Sequence, residues 1–107
     1  MLLFGLTFTF LKQFCIGLWL MLPLLLSLGA AIMLLGQAVA RQEGWSRFET
    51  FYWSFITATT VGYGDMRPTK SKSRIIAIAI AFIGLTLSGI VIAVAVHAAT
   101  VALAAHR

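Results

Sequence analysis

Acidic side chains are almost missing from this sequence: Glu43, Glu49 and Asp65 are the only three among 107 residues. So few carboxylates supply neither an oxygen cage for a hard cation nor the paired acid and base of a glycosidase, which excludes most enzyme chemistry. Cysteine occurs once, at Cys15, so an internal disulfide and a thiolate zinc site are impossible within one chain, and the redox compartment stays open. Charged residues make up 10% of the chain, against about a quarter in a soluble domain. Apolar residues fill their place at 61%, which is the composition of a membrane protein. The net charge of +5 does not gather on a soluble module. It is read as serving lipid headgroups and topology, with no nucleic-acid partner.

Two long stretches carry no charge at all. Lys12 and Arg41 bracket Gln13 to Ala40, 28 residues, and at ~1.5 Å per residue such a helix outruns the roughly 30 Å hydrocarbon core. Pro23 lies inside it and cannot donate to the carbonyl of Trp19, so a kink falls there or the regular helix is entered near it. A secretory signal ending at Ala38-Val39-Ala40 would need a much shorter apolar run. Arg74 and Arg107 bracket the second stretch, Ile75 to His106, whose 32 residues also exceed one crossing, so the turns beyond His97 are expected to emerge into water. Gly84 and Gly89 interrupt it, and packing and bending are equally open for each. Before Lys12, Met1 to Leu11 is too short to span, and an interfacial helix or an extension of the first span both fit. With no repeat and no flexible linker, the chain reads as one domain.

Between these stretches, Phe48 to Thr60 is apolar and aromatic. Ser46 followed by Glu49 is a capping-box signature and predicts a helix starting at Arg47. About 12 residues, or ~18 Å, separate that start from the glycines, half a membrane in length. A short apolar helix leading into irregular backbone at membrane depth is tolerated only if buried in protein or lining a water-filled path. Phe51, Trp53, Phe55 and Ile56 spread around the helix argue against a loop helix lying on the surface. Next comes Thr60-Val61-Gly62-Tyr63-Gly64-Asp65. Glycines alternating with larger residues admit backbone conformations that turn successive carbonyls to one side. Stripping water from a cation costs on the order of tens of kcal/mol unless oxygen dipoles replace it, and a ladder of carbonyls from several chains can do so without fixed charge. The helix before it would aim the negative end of its dipole at the membrane centre.

Thr59-Thr60-Val61-Gly62-Tyr63-Gly64-Asp65 resembles the signature filter of potassium channels, whose T-V-G-Y-G loop is the standard example of carbonyl-based cation selectivity. The resemblance covers most of the chain, in the order of the two-transmembrane-helix prokaryotic potassium channels. It implies an all-α membrane protein: an outer helix over 13–40, a re-entrant pore helix over 47–59, a selectivity-filter loop over 60–65 and an inner helix over 72–106, assembled as a homotetramer around a central pore. It further implies that the carbonyls of Thr60, Val61, Gly62 and Tyr63, with the Thr60 hydroxyl, coordinate permeant K+ ions, and that Gly64 completes the filter. Tyr63 would brace the filter against the pore helix, and Trp53 would hydrogen-bond Asp65 behind it. Where some relatives carry a buried acid four residues before Thr60, this chain has Ile56, as in the voltage-gated branch. Gly84 matches the inner-helix hinge. By the same resemblance the lipid bilayer of a bacterial or archaeal cell is the expected setting, with both termini cytoplasmic.

If Gly84 and the filter orient the inner helix, a period of 3.6 places Leu85, Ser88, Ile92 and Val96 on one stripe lining a cavity, with Ile92 and Val96 able to close it by dewetting. The alternative is that these residues pack on the outer helix. No regular arginine series accompanies the spans, so no voltage sensor is expected in this chain, nor a soluble ligand-binding domain. His97 is open as a pH switch, though a lone histidine is more often a packed residue. Arg67 would stand at the outer mouth, where four guanidinium groups would repel quaternary ammonium ions. Six basic residues between the spans, Arg41, Arg47, Arg67, Lys70, Lys72 and Arg74, favour a cytoplasmic loop by the positive-inside rule. The resemblance says the opposite and is preferred, with the three acids expected to pair with part of that charge. The competing readings are a non-selective cation channel, against which Tyr63 between two glycines argues, and a two-span scaffold protein, which would need no glycine ladder.

Overall fold

Pro23 sets the first break in the chain. In the computed structural model, which describes residues 2–62 and 64–106, α1 (Leu2–Leu20) ends three residues before it, and α2 (Leu22–Glu43) begins at Leu22 with Pro23 as its second residue. The interruption is slight, because Met21 still donates to Gly17 and Leu25 to Met21, both at 3.0 Å. Two further helices follow, α3 (Arg47–Ala58) and α4 (Ser71–Ala105), and the described chain is all-helical. Met1, Tyr63 and Arg107 lie outside the described residues.

Three helices, α1, α2 and α4, are long and apolar enough to cross a membrane. At ~1.5 Å per residue they measure about 28, 33 and 52 Å. The expected pair of apolar spans becomes three because the break at Met21 divides the stretch 13–40, and residues 2–11, in line with the extension that was one of two open readings, run on through Lys12 to Leu20. A single lysine does not end a helix, since its long stem lets the ammonium reach water from an apolar face.

The chain forms two compact units, one of residues up to Leu25 together with those from Gly89 onward, the other Leu26–Ser88. In the first, α1 runs antiparallel to the later part of α4. Gly5 faces the ring of His106 and Gly17 faces Val94, so twelve residues along α1 correspond to twelve along α4. Each glycine removes a Cβ that would stand 2.8 Å from His106 Cε1 or 2.5 Å from Val94 Cγ1, allowing close approach of the helices. The rings of Phe10 and Phe14 stack at 5.7 Å along α1.

The second unit holds the apolar core: Ile32 and Val39 of α2, Trp53 and Ala58 of α3, and Ile80 of α4. Small residues let α3 in. A Cβ on Gly36 would strike the Ser54 hydroxyl, and one on Gly84 would stand 2.5 Å from Ala58 Cα and 2.7 Å from its carbonyl carbon. Gly84 therefore has a definite packing role, against the last turn of α3, whereas a Cβ on Gly89 would meet nothing within 4 Å.

Gly84→Ala is expected to destabilise the folded protein by about 1–3 kcal/mol through overpacking on backbone that cannot swing aside. Gly89→Ala should be neutral or stabilising by up to about 1 kcal/mol from helix propensity. Denaturant unfolding of the two variants in detergent checks the contrast.

Candidate functional site

The irregular segment 59–70 owes its position to α3. That helix starts at the capping box the sequence predicts: Ser46 Oγ accepts from the Glu49 amide, and the Glu49 carboxylate accepts from the Ser46 amide, each at 3.2 Å. Thr50 adds a hydroxyl bond to the Ser46 carbonyl at 2.6 Å. One face of α3 is buried, with Thr50, Trp53, Ser54, Ile56 and Ala58, while Phe48, Phe51 and Phe55 are exposed. The aromatics thus divide between two faces, as they must on a helix with partners on one side only.

At its other end α3 unwinds in steps. Thr59 donates to Phe55 O at 3.0 Å, Thr60 to Thr57 O at 3.3 Å and Gly62 to Ile56 O at 3.1 Å. The backbone then enters the left-handed region at three positions: φ is +64° at Thr60, +53° at Gly62 and +82° at Gly64. Neither glycine is crowded, since a Cβ on either would meet nothing within 4 Å. Their φ alone demands glycine. Thr60 has no such freedom; a β-branched residue there carries about 1–2 kcal/mol of strain, of the kind concentrated at functional sites. Its hydroxyl donates to the Thr59 carbonyl at 2.6 Å, leaving the oxygen lone pairs available to a cation. Val61 and both glycines are exposed. Tyr63, expected to brace the filter and to lend a carbonyl, lies outside the described residues.

Asp65 is held differently from expectation. Its Oδ2 accepts from the Tyr52 hydroxyl at 3.0 Å, while Trp53, the expected partner, is buried and tilted against Trp45 with ring centroids 5.2 Å apart. Adjacent positions on a helix point about 100° apart, so only one of the pair can face the carboxylate. Ile56 is buried at the position where an acid was considered.

The three acids do not chiefly serve to neutralise the basic loop. Glu49 caps α3, Asp65 accepts a hydrogen bond from the Tyr52 hydroxyl, and Glu43 clamps the start of α4. The Glu43 carboxylate accepts from the Thr69 amide at 3.0 Å, the Thr69 hydroxyl at 2.8 Å and the Lys70 amide at 3.1 Å. Those amides precede Ser71, the first residue of α4, where a negative charge also meets the positive end of the helix dipole. Beside it Ser73 donates to Gln42 at 3.1 Å, and Arg74 Nε donates to the Pro68 carbonyl at 3.2 Å. This clamp was not anticipated. Its one sequence signal is an acid in the last turn of an apolar helix, where the dipole disfavours it and an external partner is needed.

On α4, Gly84 is buried and Ser88 half-buried, but Leu85, Ile92 and Val96 are 54%, 61% and 60% exposed.

Comparison with known proteins adds to this geometry. A family profile described as "Ion channel" matches residues 1–101. The chain is 42% identical over 53 residues to TWiK family of potassium channels protein 7 of Caenorhabditis elegans, covering 50% of this chain and 10% of that protein. It is 46% identical over 41 residues to Two-pore potassium channel 1 of Arabidopsis thaliana, covering 38% and 11%. To the Voltage-gated potassium channel of Aeropyrum pernix it is 42% identical over 41 residues, covering 38% and 14%. The matched stretch is thus a small part of each of these curated relatives. No solved structure gives a significant match.

A double-mutant cycle tests the aspartate's partner. Tyr52→Phe with Asp65→Asn should show a coupling of about 1 kcal/mol in unfolding free energy, and Trp53→Phe with Asp65→Asn almost none. The reverse pattern would restore the Trp53 assignment.

Proposed function

The chain belongs to the ion channel family whose profile covers residues 1–101, and from that premise we propose that four copies assemble in a lipid bilayer into a potassium-selective channel. The observation that carries the reading is the positive φ at Thr60, Gly62 and Gly64, set at the C-terminal end of a short capped helix. A segment so twisted can present the carbonyls of Thr60, Val61, Gly62 and Tyr63 to a common axis, with the Thr60 hydroxyl at its inner end. Sixteen carbonyls from four chains replace the water shell of K+ in several sites in file, so an ion enters readily and leaves under repulsion from the next. No carboxylate has to bind the ion.

In this reading α3 is re-entrant. Its C-terminal dipole end, equivalent to roughly half a negative charge, favours a hydrated cation in the cavity below. Asp65, fixed by Tyr52, adds attraction at the outer mouth, and the Glu43 clamp holds the far end of the exit loop. Leu85, Ser88, Ile92 and Val96 line the cavity; the exposure of Leu85, Ile92 and Val96 within one chain supports this, because it leaves them free to face symmetry-related helices or a water-filled path. Convergence of four α4 helices at Ile92 and Val96 closes the path by dewetting, with bending at Gly84 as the opening motion. The loop bearing the filter faces outward and both termini are cytoplasmic. Six basic residues outside run against the positive-inside tendency, which is statistical and is overridden where a packed pore fixes orientation.

Planar-bilayer recording under a potassium/sodium gradient tests the proposal. Wild-type current should reverse close to the potassium equilibrium potential, and Gly62→Asp should abolish selectivity, because aspartate neither accepts the left-handed φ nor keeps the ladder neutral. Unselective wild-type current would make this a general cation channel, silence would point to a scaffold protein, and an unchanged reversal potential in Gly62→Asp would sink the carbonyl assignment.

A further inference from the structure

We infer that the stretch from Arg41 to Arg74 is a docking surface for a linear phosphate polyanion. Six of the eight Lys and Arg side chains of the sequence fall here, Arg41, Arg47, Arg67, Lys70, Lys72 and Arg74, and every one of them is exposed. All three acids fall here too, yet each spends its oxygens on neutral donors. Glu49 accepts from the Ser46 amide, Asp65 from the Tyr52 hydroxyl, and Glu43 from Thr69 and the Lys70 amide. Among the described residues the six basic side chains make no ion pair, and Arg74 alone forms a hydrogen bond, from Nε to the Pro68 carbonyl. Six cations less three anions leave +3 on this stretch.

The helices do not need this charge. Arg47 opens α3, and Lys72 and Arg74 are among the first four residues of α4, positions where the helix dipole disfavours a cation; Arg41, in the last turn of α2, is the exception. Charge kept against a local rule, with no partner inside the chain, indicates an anion from outside. Its layout selects the kind of anion. The six side chains come from the end of α2, the start of α3 and the segment 67–74, and none is buried, so nothing encloses a single phosphate. An open spread of cations suits a chain of repeating negative charges, which meets many of them at once and gains by releasing its counterions. Four of the six are arginines, whose planar guanidinium matches phosphate oxygens in pairs. Lipid headgroups are the rival partner, but in the channel reading Arg67, two positions beyond Asp65, stands at the filter mouth, away from lipid.

The docking surface stands on the unit Leu26–Ser88 alone; its consequence for conduction rests on the channel reading. Four copies would carry +12 around the mouth and repel K+ arriving there, and a docked polyanion cancels that field. Binding of labelled inorganic polyphosphate to the full chain in nanodiscs of zwitterionic lipid tests the surface. Affinity should fall about a hundredfold between about 50 and about 200 mM salt, as for roughly four neutralised charges, and orthophosphate should not compete. Arg67→Gln, Lys70→Gln and Lys72→Gln together should weaken binding at least about tenfold, and each alone should lower the salt slope by about one. Lys70 enters the Glu43 clamp through its amide, so the clamp survives the change. Lys12→Gln, in the other unit, should bind as the wild type. Binding unaffected by the triple substitution, or equal competition by orthophosphate, would overturn the surface. Absence of polymer binding would do the same, and phosphatidylglycerol retained by the wild type but not by the triple variant would then assign the cations to lipid headgroups. In bilayers the polymer, added on the filter side at low salt, should raise K+ current entering from that side without moving the reversal potential. Loss of potassium selectivity in the wild type would overturn the channel reading instead and leave the binding result untouched.

Discussion

A backbone held in the left-handed region at Thr60, Gly62 and Gly64 is the constraint on which the rest of this structure depends. Two of those positions accept it freely and the third does not, so the conformation persists only if its surroundings impose it. They do so from both sides. The capping box starts α3 at Arg47, its last turn hands amide bonds on to Thr60 and Gly62, and beyond the glycines Tyr52 holds Asp65 while Glu43 holds Thr69 and Lys70. Strain in a few residues is offset by many ordinary hydrogen bonds placed outside them.

Close packing supplies the second half of that support. α3 is seated by what its neighbours lack: Gly36 gives room to Ser54, and Gly84 gives room to the backbone of Ala58. Ser54 Oγ is buried and has no hydrogen-bond partner among the described residues, so the contact with Gly36 is tight at the expense of a polar group. The same residues that make this possible leave α4 bare elsewhere. Leu85, Ile92 and Val96 face outward from the single chain, as do Phe48, Phe51 and Phe55 on α3. A membrane can cover such surface, and in the proposed assembly copies of the chain around an axis would cover the rest.

Local features were legible in the sequence. The capping box needs only Ser46 and Glu49 at the right spacing, the break near Pro23 needs only a missing amide, and Gly62 and Gly64 mark positions whose positive φ admits little but glycine. What required tertiary structure was not. Tyr52 and Trp53 are neighbours in sequence, and choosing which one meets Asp65 requires the rotation of α3 about its axis. Glu43 reaches residues 26 and 27 positions away, and Gly84 a helix end, for which no periodicity gives a signal. Lys12 left two readings open for the residues before it, an interfacial helix or an extension of the first span, and the helix runs straight through it.

The central claim is that main-chain oxygens of several chains, rather than carboxylates, take the place of an ion's water. Anomalous diffraction from crystals of the protein grown with rubidium or thallium in place of potassium tests it most directly. The account predicts a file of dehydrated ions on a fourfold axis level with Thr60 to Tyr63. Ions found only beside Asp65 or Glu43, or an axis empty at that level, would contradict it.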